Sequence, residues 1–189
     1  MRGTRTCSTG EQLNRRVVIT GGPGAGKTTL LAELVARGCV GVPESARAVI
    51  RDRKRRDLSP RPDPPEFARA ILRLDIEQYR TTPAEHGLVF FDRGIPDALG
   101  MLHELGLLTP ADSDHYLTGF PYSQTVLMLP PWEQIYTTDS ERDQTYAHAV
   151  RVHASLCDWY SRCGFDLVEV PPGSVAERCD FVLRRCRGD

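Results

Sequence analysis

The sequence predicts a three-layer α/β/α sandwich built around a mainly parallel, five-stranded β-sheet. Short runs of β-branched and other apolar residues alternate along the chain with longer segments whose apolar residues recur at helical spacing. Strands that are joined by helices pair in parallel through right-handed crossovers, and the helices then cover both faces of the sheet. With 189 residues, 40% of them hydrophobic and 26% charged, the composition is that of one ordinary globular domain.

The first four predicted elements are two strands and two helices. Residues 16–20 form a β-branched run that stops at a glycine cluster, which is typical of a buried strand. Residues 28–37 carry leucines at helical spacing and end at a glycine, so they predict a helix. A second strand at 39–42 ends before a proline, and a second helix follows at 44–52.

The middle of the chain contains the stretch least suited to a core. Residues 51–65 combine a basic run with four closely spaced prolines, and we expect a mobile surface loop there rather than a domain boundary. After it, residues 67–80 again carry apolar side chains at helical spacing. Residues 88–91 then form a third apolar strand that ends at Asp92.

The remaining elements repeat the same alternation. Two further strands are predicted at 125–129 and 167–170, and each is closed by a pair of prolines. Four further helices are predicted at 95–106, 110–118, 141–163 and 175–187.

The overall charge excludes several classes of partner. The 24 basic and 25 acidic residues give a net charge of −1, so we expect neither nucleic acid nor a membrane surface as a partner. Residues 1–14 are small and polar, which predicts a flexible segment rather than a signal peptide, and residues 15–189 then form a single domain. The six cysteines lack zinc-type spacing and favour reduced thiols. We therefore expect a cytoplasmic protein, either a monomer or a homodimer.

The strongest motif lies between the first predicted strand and the first predicted helix. Its eight residues satisfy the pattern G-x-x-x-x-G-K-[ST] in full, and they are Gly21, Gly22, Pro23, Gly24, Ala25, Gly26, Lys27 and Thr28. Glycines allow successive backbone N–H groups to point at an anion, and the positive end of the following helix dipole points at the same place. The motif is typical of a phosphate-binding loop (P-loop), so ATP is the expected ligand.

Three side chains of this loop carry the predicted chemistry. Lys27 is one of only two lysines in the chain; it supplies a compact positive charge to the β- and γ-phosphates, and we expect it to be exposed in the crevice. Thr28 offers a hydroxyl to Mg²⁺. Thr29 is interpreted as a ligand of the α-phosphate or as a helix cap.

Asp92 and Arg93 follow the third strand, at the edge of the sheet where ligands bind in open parallel sheets. An aspartate at the end of an apolar strand resembles a Walker B element, whose carboxylate holds Mg²⁺ through water. The alternative is that Asp92 caps the next helix. Arg93 is expected to contact a phosphate.

Glu44, after the second strand, is the candidate on the acceptor side. A carboxylate at this edge can accept the proton of an attacking hydroxyl, as phosphoryl transfer to an alcohol requires. The alternative is an acidic residue that the dipole of its own helix stabilises, and both interpretations can hold together.

Arg142 ends the segment 130–142, which follows the fourth strand and leads into the long helix, where small kinases place a lid. There its guanidinium would stabilise the charge that develops on the transferred phosphoryl group. The alternative is a partner in a surface ion pair on a solvated helix face.

Five segments, in order, resemble the small bacterial AAA-domain family of predicted ATPases and kinases: ITGGPGAGKTTL, VPESAR, FFDRGIPDALGML, LPPWEQIYTTDSER and VEVPPGSVAERCDFVL. The resemblance spans roughly residues 15–187. This family is related to the ribosylnicotinamide kinase domain and, more distantly, to nucleoside and nucleotide kinases, and it looks like P-loop kinases rather than hexameric motors.

The resemblance has implications for the site but does not identify the phosphoryl acceptor. It implies ATP with Mg²⁺ at Lys27, Thr28 and Asp92, acceptor-side residues near Glu44 and an arginine-bearing lid at Arg142. It also implies that adenine stacks against the loop formed by Pro172, Gly173 and Ser174.

Two functions remain open from the sequence. The first is a small-molecule kinase for a nucleoside-like alcohol, with Glu44 as base and Arg93 and Arg142 as charge stabilisers. The second is an ATPase or a nucleotide-dependent switch that regulates a protein partner through a moving surface such as residues 51–65. A GTPase is disfavoured because the chain lacks an N-K-x-D motif, and a ring-forming motor because no room remains for a helical lid domain.

The basic stretch 51–56 has five positive charges in six positions. It suits a phosphorylated acceptor, a nucleic acid or simply a solvated face. No aromatic residue is interleaved with these charges, so stacking on a single strand is not supported.

Overall fold

The computed structural model describes residues 15–60, 62–83, 87–135 and 145–187. Its five strands are β1 (Arg16–Gly21), β2 (Val40–Val42), β3 (Val89–Asp92), β4 (Thr125–Leu129) and β5 (Asp166–Glu169). They form one sheet in the order β2-β3-β1-β4-β5, and every neighbouring pair is parallel. The predicted sheet is confirmed.

Within the described residues, seven α-helices connect and cover the strands. They are α1 (Lys27–Ala36), α2 (Ser45–Arg55), α3 (Pro64–Thr81), α4 (Ile95–Glu104), α5 (Pro110–Gly119), α6 (Tyr146–Arg162) and α7 (Val175–Arg187). A short 3₁₀ turn, Glu133–Ile135, follows β4.

Alternation along the strands builds one core on each side of the sheet. Val18 and Phe91 pack on one side with residues of α3, α4 and α6. Val17, Ile19 and Phe90 pack on the other side with residues of α1 and α7. Both faces of the sheet are covered, which explains why the interior positions of β1, β3 and β4 are mostly apolar and confirms the three-layer architecture.

The strand order positions the site. In the register of β1 and β3, Ile19 lies beside Asp92, so the loop after β1 and the residues that end β3 meet at one edge of the sheet. The register of β2 and β3 pairs Val42 with Phe91, which brings the end of β2 to the same edge. Residues far apart in sequence therefore meet where open parallel sheets bind ligands.

The expected loop at 51–65 is shorter than predicted. Residues 51–55 continue α2, and α3 begins at Pro64, because proline is well suited to the first turn of a helix. Arg53 stabilises the connection: its Nη1 contacts Glu66 at 2.8 Å, and its Nε donates to the carbonyl of Ser59 at 2.7 Å.

The long helix after β4 is described from Tyr146, where Thr145 caps it by accepting a hydrogen bond from the backbone N–H of His148. The predicted start of this helix at residue 141 and the predicted lid residue Arg142 lie outside the described residues. Within the described part of the chain, no helix is long and apolar enough to cross a membrane.

Candidate functional site

Gly26 and Gly22 show why the backbone of the P-loop requires glycine. Gly26 has a φ of +82° and is the N-cap of α1. Gly22 lies against α6, where an added Cβ would be 2.6 Å from the carbonyl oxygen of Ala149. A side chain at the first position would strain the backbone, and one at the second would push α6 away from the loop.

Lys27 lies beneath this loop and is only 7% exposed, so the expectation of an exposed side chain is wrong. Its Nζ donates to the carbonyl oxygens of Gly21 at 3.1 Å and of Gly22 at 2.9 Å. Burial, followed by the positive charge of Arg93, lowers the pKa of Lys27 to about 8. A phosphate beside this ammonium would favour its charged form.

Thr28 and Asp92 lie side by side, with Thr28 Oγ1 donating to Asp92 Oδ2 at 3.1 Å. Asp92 is 3% exposed, and its Oδ1 has no hydrogen-bond partner among the described residues. Burial raises the pKa of Asp92. A buried carboxylate oxygen without a donor, next to a hydroxyl, is an oxygen set that fits Mg²⁺, and the magnesium role stays a prediction.

Arg93 organises the acceptor side of the site. Its backbone adopts a φ of +67°, and its guanidinium makes three contacts: with Glu44 Oε1 at 3.2 Å, with Asp97 Oδ1 at 3.0 Å and with the carbonyl of Gly21 at 2.9 Å. Burial disfavours its charge, but the carboxylates of Asp97 and Glu44 outweigh burial and raise the pKa of Arg93. The guanidinium thus joins the P-loop to two carboxylates, and its expected phosphate contact stays a prediction.

Asp97 has a central role that the sequence did not indicate. It is 5% exposed, and besides Arg93 it accepts hydrogen bonds from Thr20 Oγ1 at 2.6 Å, from the Tyr160 hydroxyl at 2.6 Å and from the backbone N–H of Gly94 at 3.2 Å. From sequence alone, Asp97 is an acidic residue in the first turn of a helix. Nothing local predicts that Tyr160, on α6, donates to it.

Glu44 occupies the N-cap position of α2, although its side chain does not cap that helix. It contacts Arg93 through Oε1 and Arg47 Nε through Oε2, each at 3.2 Å. Burial favours the neutral acid, but the charges of Arg93, Lys27 and Arg47 together lower the pKa of Glu44. Glu44 is therefore ionised near neutral pH and held in a fixed orientation.

Two cavities open at this edge of the sheet. The smaller one, of about 350 Å³, is bounded by the P-loop and by residues after β4 and β5; its wall includes Thr28, Thr29, Trp132, Ile135, Gly173, Ser174 and Arg178. The larger one, of about 610 Å³, lies among α2, α3, α4 and α6. Lys27 and Glu44 belong to the walls of both cavities, so the two spaces meet at these side chains.

Part of the predicted adenine loop lines the smaller cavity. Gly173 and Ser174 line it, whereas Pro172 is exposed and is not among the described residues of its wall. Ser174 also caps the N-terminus of α7, because its Oγ accepts a hydrogen bond from the backbone N–H of Glu177 at 3.2 Å. The stacking role stays a prediction.

Arg178 is a second residue that the sequence did not single out. It is 4% exposed, its Nη2 donates to the carbonyl of Ala25 at 3.1 Å, and its guanidinium lies 5.7 Å from the centre of the Trp132 ring. Arg178 belongs to α7, where an arginine has no local signature of a site. The basic stretch at 51–56, in contrast, contributes no residue to the wall of either cavity as described.

Comparison with known proteins places the fold. A family model described as an AAA domain matches residues 16–178, as the sequence resemblance implied. Among curated proteins, no sequence matches this chain.

Several solved structures share the fold. Deoxyadenosine kinase from M. mycoides with bound dATP is 15% identical, with 91% of this chain and 98% of that chain covered and a TM-score of 0.60. The NadR protein in complex with NR is 18% identical, with 94% of this chain and 52% of that chain covered and a TM-score of 0.65. This chain therefore spans about half of that protein. The YorR protein from Bacillus subtilis, in complex with phosphorylated GDP, is 11% identical, with 91% of this chain and 95% of that chain covered and a TM-score of 0.55. At these identities the similarity shows the fold.

Proposed function

This chain belongs to the AAA-domain family, and we propose that it is an ATP- and Mg²⁺-dependent phosphotransferase that acts on a hydroxyl group of a nucleoside-like small molecule. The observation that carries the proposal is the junction of the two cavities at Lys27 and Glu44. Phosphoryl transfer requires two binding spaces that meet where the phosphoryl group changes partner.

The smaller cavity is the donor side. Lys27 and the backbone N–H groups of the P-loop bind the phosphates of ATP, and the helix dipole of α1 favours the same negative charge. Trp132 and Arg178 line this cavity and offer a flat ring and a guanidinium to the nucleotide. Thr28 and Asp92 would hold Mg²⁺, which when bound neutralises part of the phosphate charge.

The larger cavity is the acceptor side. Glu44, which is ionised, accepts the proton of the acceptor hydroxyl as the hydroxyl oxygen forms a bond to the γ-phosphorus. The bond between the γ-phosphorus and the oxygen that bridges to the β-phosphate breaks, and ADP leaves. Arg93 fixes Glu44 through its Nε and brings a positive charge to the place where negative charge develops.

The size and character of the larger cavity favour a small-molecule acceptor over water. An ATPase needs space for one water molecule beyond the γ-phosphate, whereas this cavity measures about 610 Å³, within the usual range for small-molecule sites. The similarity in fold to a deoxyadenosine kinase supports a nucleoside-like acceptor.

The test is ATP consumption with Mg²⁺, in the presence and absence of a pooled library of nucleosides, sugars and amino alcohols, with products followed by mass spectrometry. We expect a product that is heavier than one library member by one phosphoryl group. Glu44→Gln should slow formation of that product, whereas the control Glu77→Gln, an exposed carboxylate on α3, should not. Steady ADP release without any phosphorylated library member would refute the proposal and favour the ATPase or switch.

A further inference from the structure

We propose that Asp75, oriented by Ser45, is a specificity residue of the larger cavity and binds an exocyclic amino group on the heterocycle of the acceptor. The class of acceptor that this implies is an unphosphorylated nucleoside-like molecule whose ring carries an amino group. This inference rests on the proposed function, since it names the acceptor of the same site.

Asp75 is a buried carboxyl group that lacks one of its partners. It lies on α3, is 5% exposed and lines the larger cavity. Ser45 Oγ donates to Asp75 Oδ1 at 2.5 Å, whereas Oδ2 is buried and accepts no hydrogen bond from the described residues. Buried carboxylate oxygens are normally paired, because an unpaired one loses its hydration without compensation. A ligand that donates to Oδ2 would complete the group.

The walls around Asp75 suit a flat apolar ring. Phe67 and Ile71 precede Asp75 by eight and four positions, so the three residues share one face of α3, and all three line the cavity. Met101 and Trp159 line it from α4 and α6. The indole N–H of Trp159 already donates to the carbonyl of Pro96 at 2.8 Å, so this residue offers the ligand apolar surface.

The charges around Asp75 favour a donor and disfavour a phosphate. Burial raises the pKa of Asp75 to about 7, and the charges of Asp97 and Glu44 act in the same direction, against the Ser45 hydrogen bond and the charge of Arg93. An N–H donor from the ligand would stabilise the ionised carboxylate. A phosphorylated acceptor would meet these carboxylates, while the guanidinium of Arg93 is already bonded to Glu44, Asp97 and the P-loop.

A purely structural role for Asp75 makes a different prediction. Ser45 is the first residue of α2, and besides its contact with Asp75 its Oγ lies 3.0 Å from Gln78 Oε1. The Ser45 hydroxyl therefore joins α2 to α3. If the carboxyl group served only this contact, replacing it would change the stability of the protein but not its choice between two acceptors of equal shape.

The experiment compares two pairs of nucleosides, cytidine with uridine and adenosine with inosine. In each pair one molecule carries an amino group where the other carries a carbonyl oxygen. We expect the wild type at pH 8, above the pKa of Asp75, to prefer the amino member in kcat/KM, and Asp75→Asn to shift that ratio about 10- to 100-fold towards the carbonyl member, since the amide presents a donor. The control Glu77→Gln also replaces a carboxylate by its amide, but on the exposed side of α3, and it should leave the ratio unchanged.

Binding measurements separate a failure of this inference from a failure of the proposed function. Calorimetry with the same four nucleosides and a non-hydrolysable ATP analogue reports the ratio of affinities without chemistry. Suppose that Asp75→Asn shifts the ratio of affinities but the wild type forms no phosphorylated product. That result would support the specificity role of Asp75 and refute the proposed phosphotransferase activity. Phosphorylation with an unchanged ratio, or no nucleoside bound at all, would overturn the inference. If Asp75→Asn does not fold, Ser45→Ala should reduce the preference several-fold by releasing Oδ1, and an unreduced preference would overturn the inference equally.

Discussion

The interaction of Asp97 with its four donors yields the sharpest prediction about stability. Thr20 and Arg93 donate to Oδ1, and Tyr160 and the backbone of Gly94 donate to Oδ2. In Asp97→Asn, one oxygen becomes an NH₂ group, which donates. The hydroxyl on that side, Thr20 or Tyr160, can turn to accept from it, but the N–H donor on the same side, Arg93 or Gly94, loses its acceptor in either orientation of the amide.

The expected loss follows from the burial of the group. A hydrogen bond to a charged group contributes about 1.5–3 kcal/mol, and a buried ion pair that loses one partner costs about 3–5 kcal/mol. We therefore expect Asp97→Asn to lower the free energy of unfolding by about 3–5 kcal/mol and Tm by about 10 °C. Urea unfolding followed by tryptophan fluorescence measures the change, and Trp159 is a buried reporter in the same region.

Asp158→Asn is the matched control. Asp158 is a carboxylate on α6 whose side chain is 65% exposed, and it pairs with Arg162 at 2.7 Å. Its replacement should cost less than about 1 kcal/mol, because exposed ion pairs are well solvated. If Asp97→Asn proved as mild as this control, the four-donor arrangement would not be the support that holds Arg93 and Glu44. Tyr160→Phe, which removes a single donor, should be intermediate at about 1–2 kcal/mol.

Three further predictions concern the groups beneath the P-loop and in the larger cavity. Lys27→Met should slow ATP turnover at least about 100-fold. The free energy of unfolding should change by less than about 1 kcal/mol, because removing a buried ammonium relieves its desolvation cost and so offsets the loss of its two hydrogen bonds. Unfolding of this variant without ligand would mean that Lys27 is structural. Asp92→Asn should raise the Mg²⁺ concentration that gives half-maximal ATP turnover about 10-fold, and an unaltered magnesium titration would contradict the assignment. Folded Asp75 keeps its proton up to about pH 7, whereas the unfolded chain releases it near pH 4. From pH 4 to pH 7 the stability of the wild type should therefore fall by about 3 kcal/mol relative to Asp75→Asn. Parallel pH profiles in urea unfolding would show that Asp75 titrates normally.

The sequence determined those features that depend on neighbouring residues. Strand β4 and helix α7 begin and end at the residues predicted, since proline pairs and apolar spacing mark their limits locally. The P-loop is equally local, because the glycine spacing alone allows its backbone conformation. The basic run at 51–55 misled the prediction: its charges are typical of a loop, yet it continues α2, where arginine and lysine are good helix formers.

The tertiary structure decided which side chains are buried and paired. Tyr160 donates to Asp97 across 63 positions, Ser45 to Asp75 across 30 and Arg178 to Ala25 across 153. No local pattern encodes such contacts, because they depend on the order of the strands and on how the helices pack over them. Burial is equally a property of the whole fold, since a side chain loses its water only when distant segments close around it. The position of Lys27 could therefore be read from the sequence, whereas its burial and lowered pKa could not.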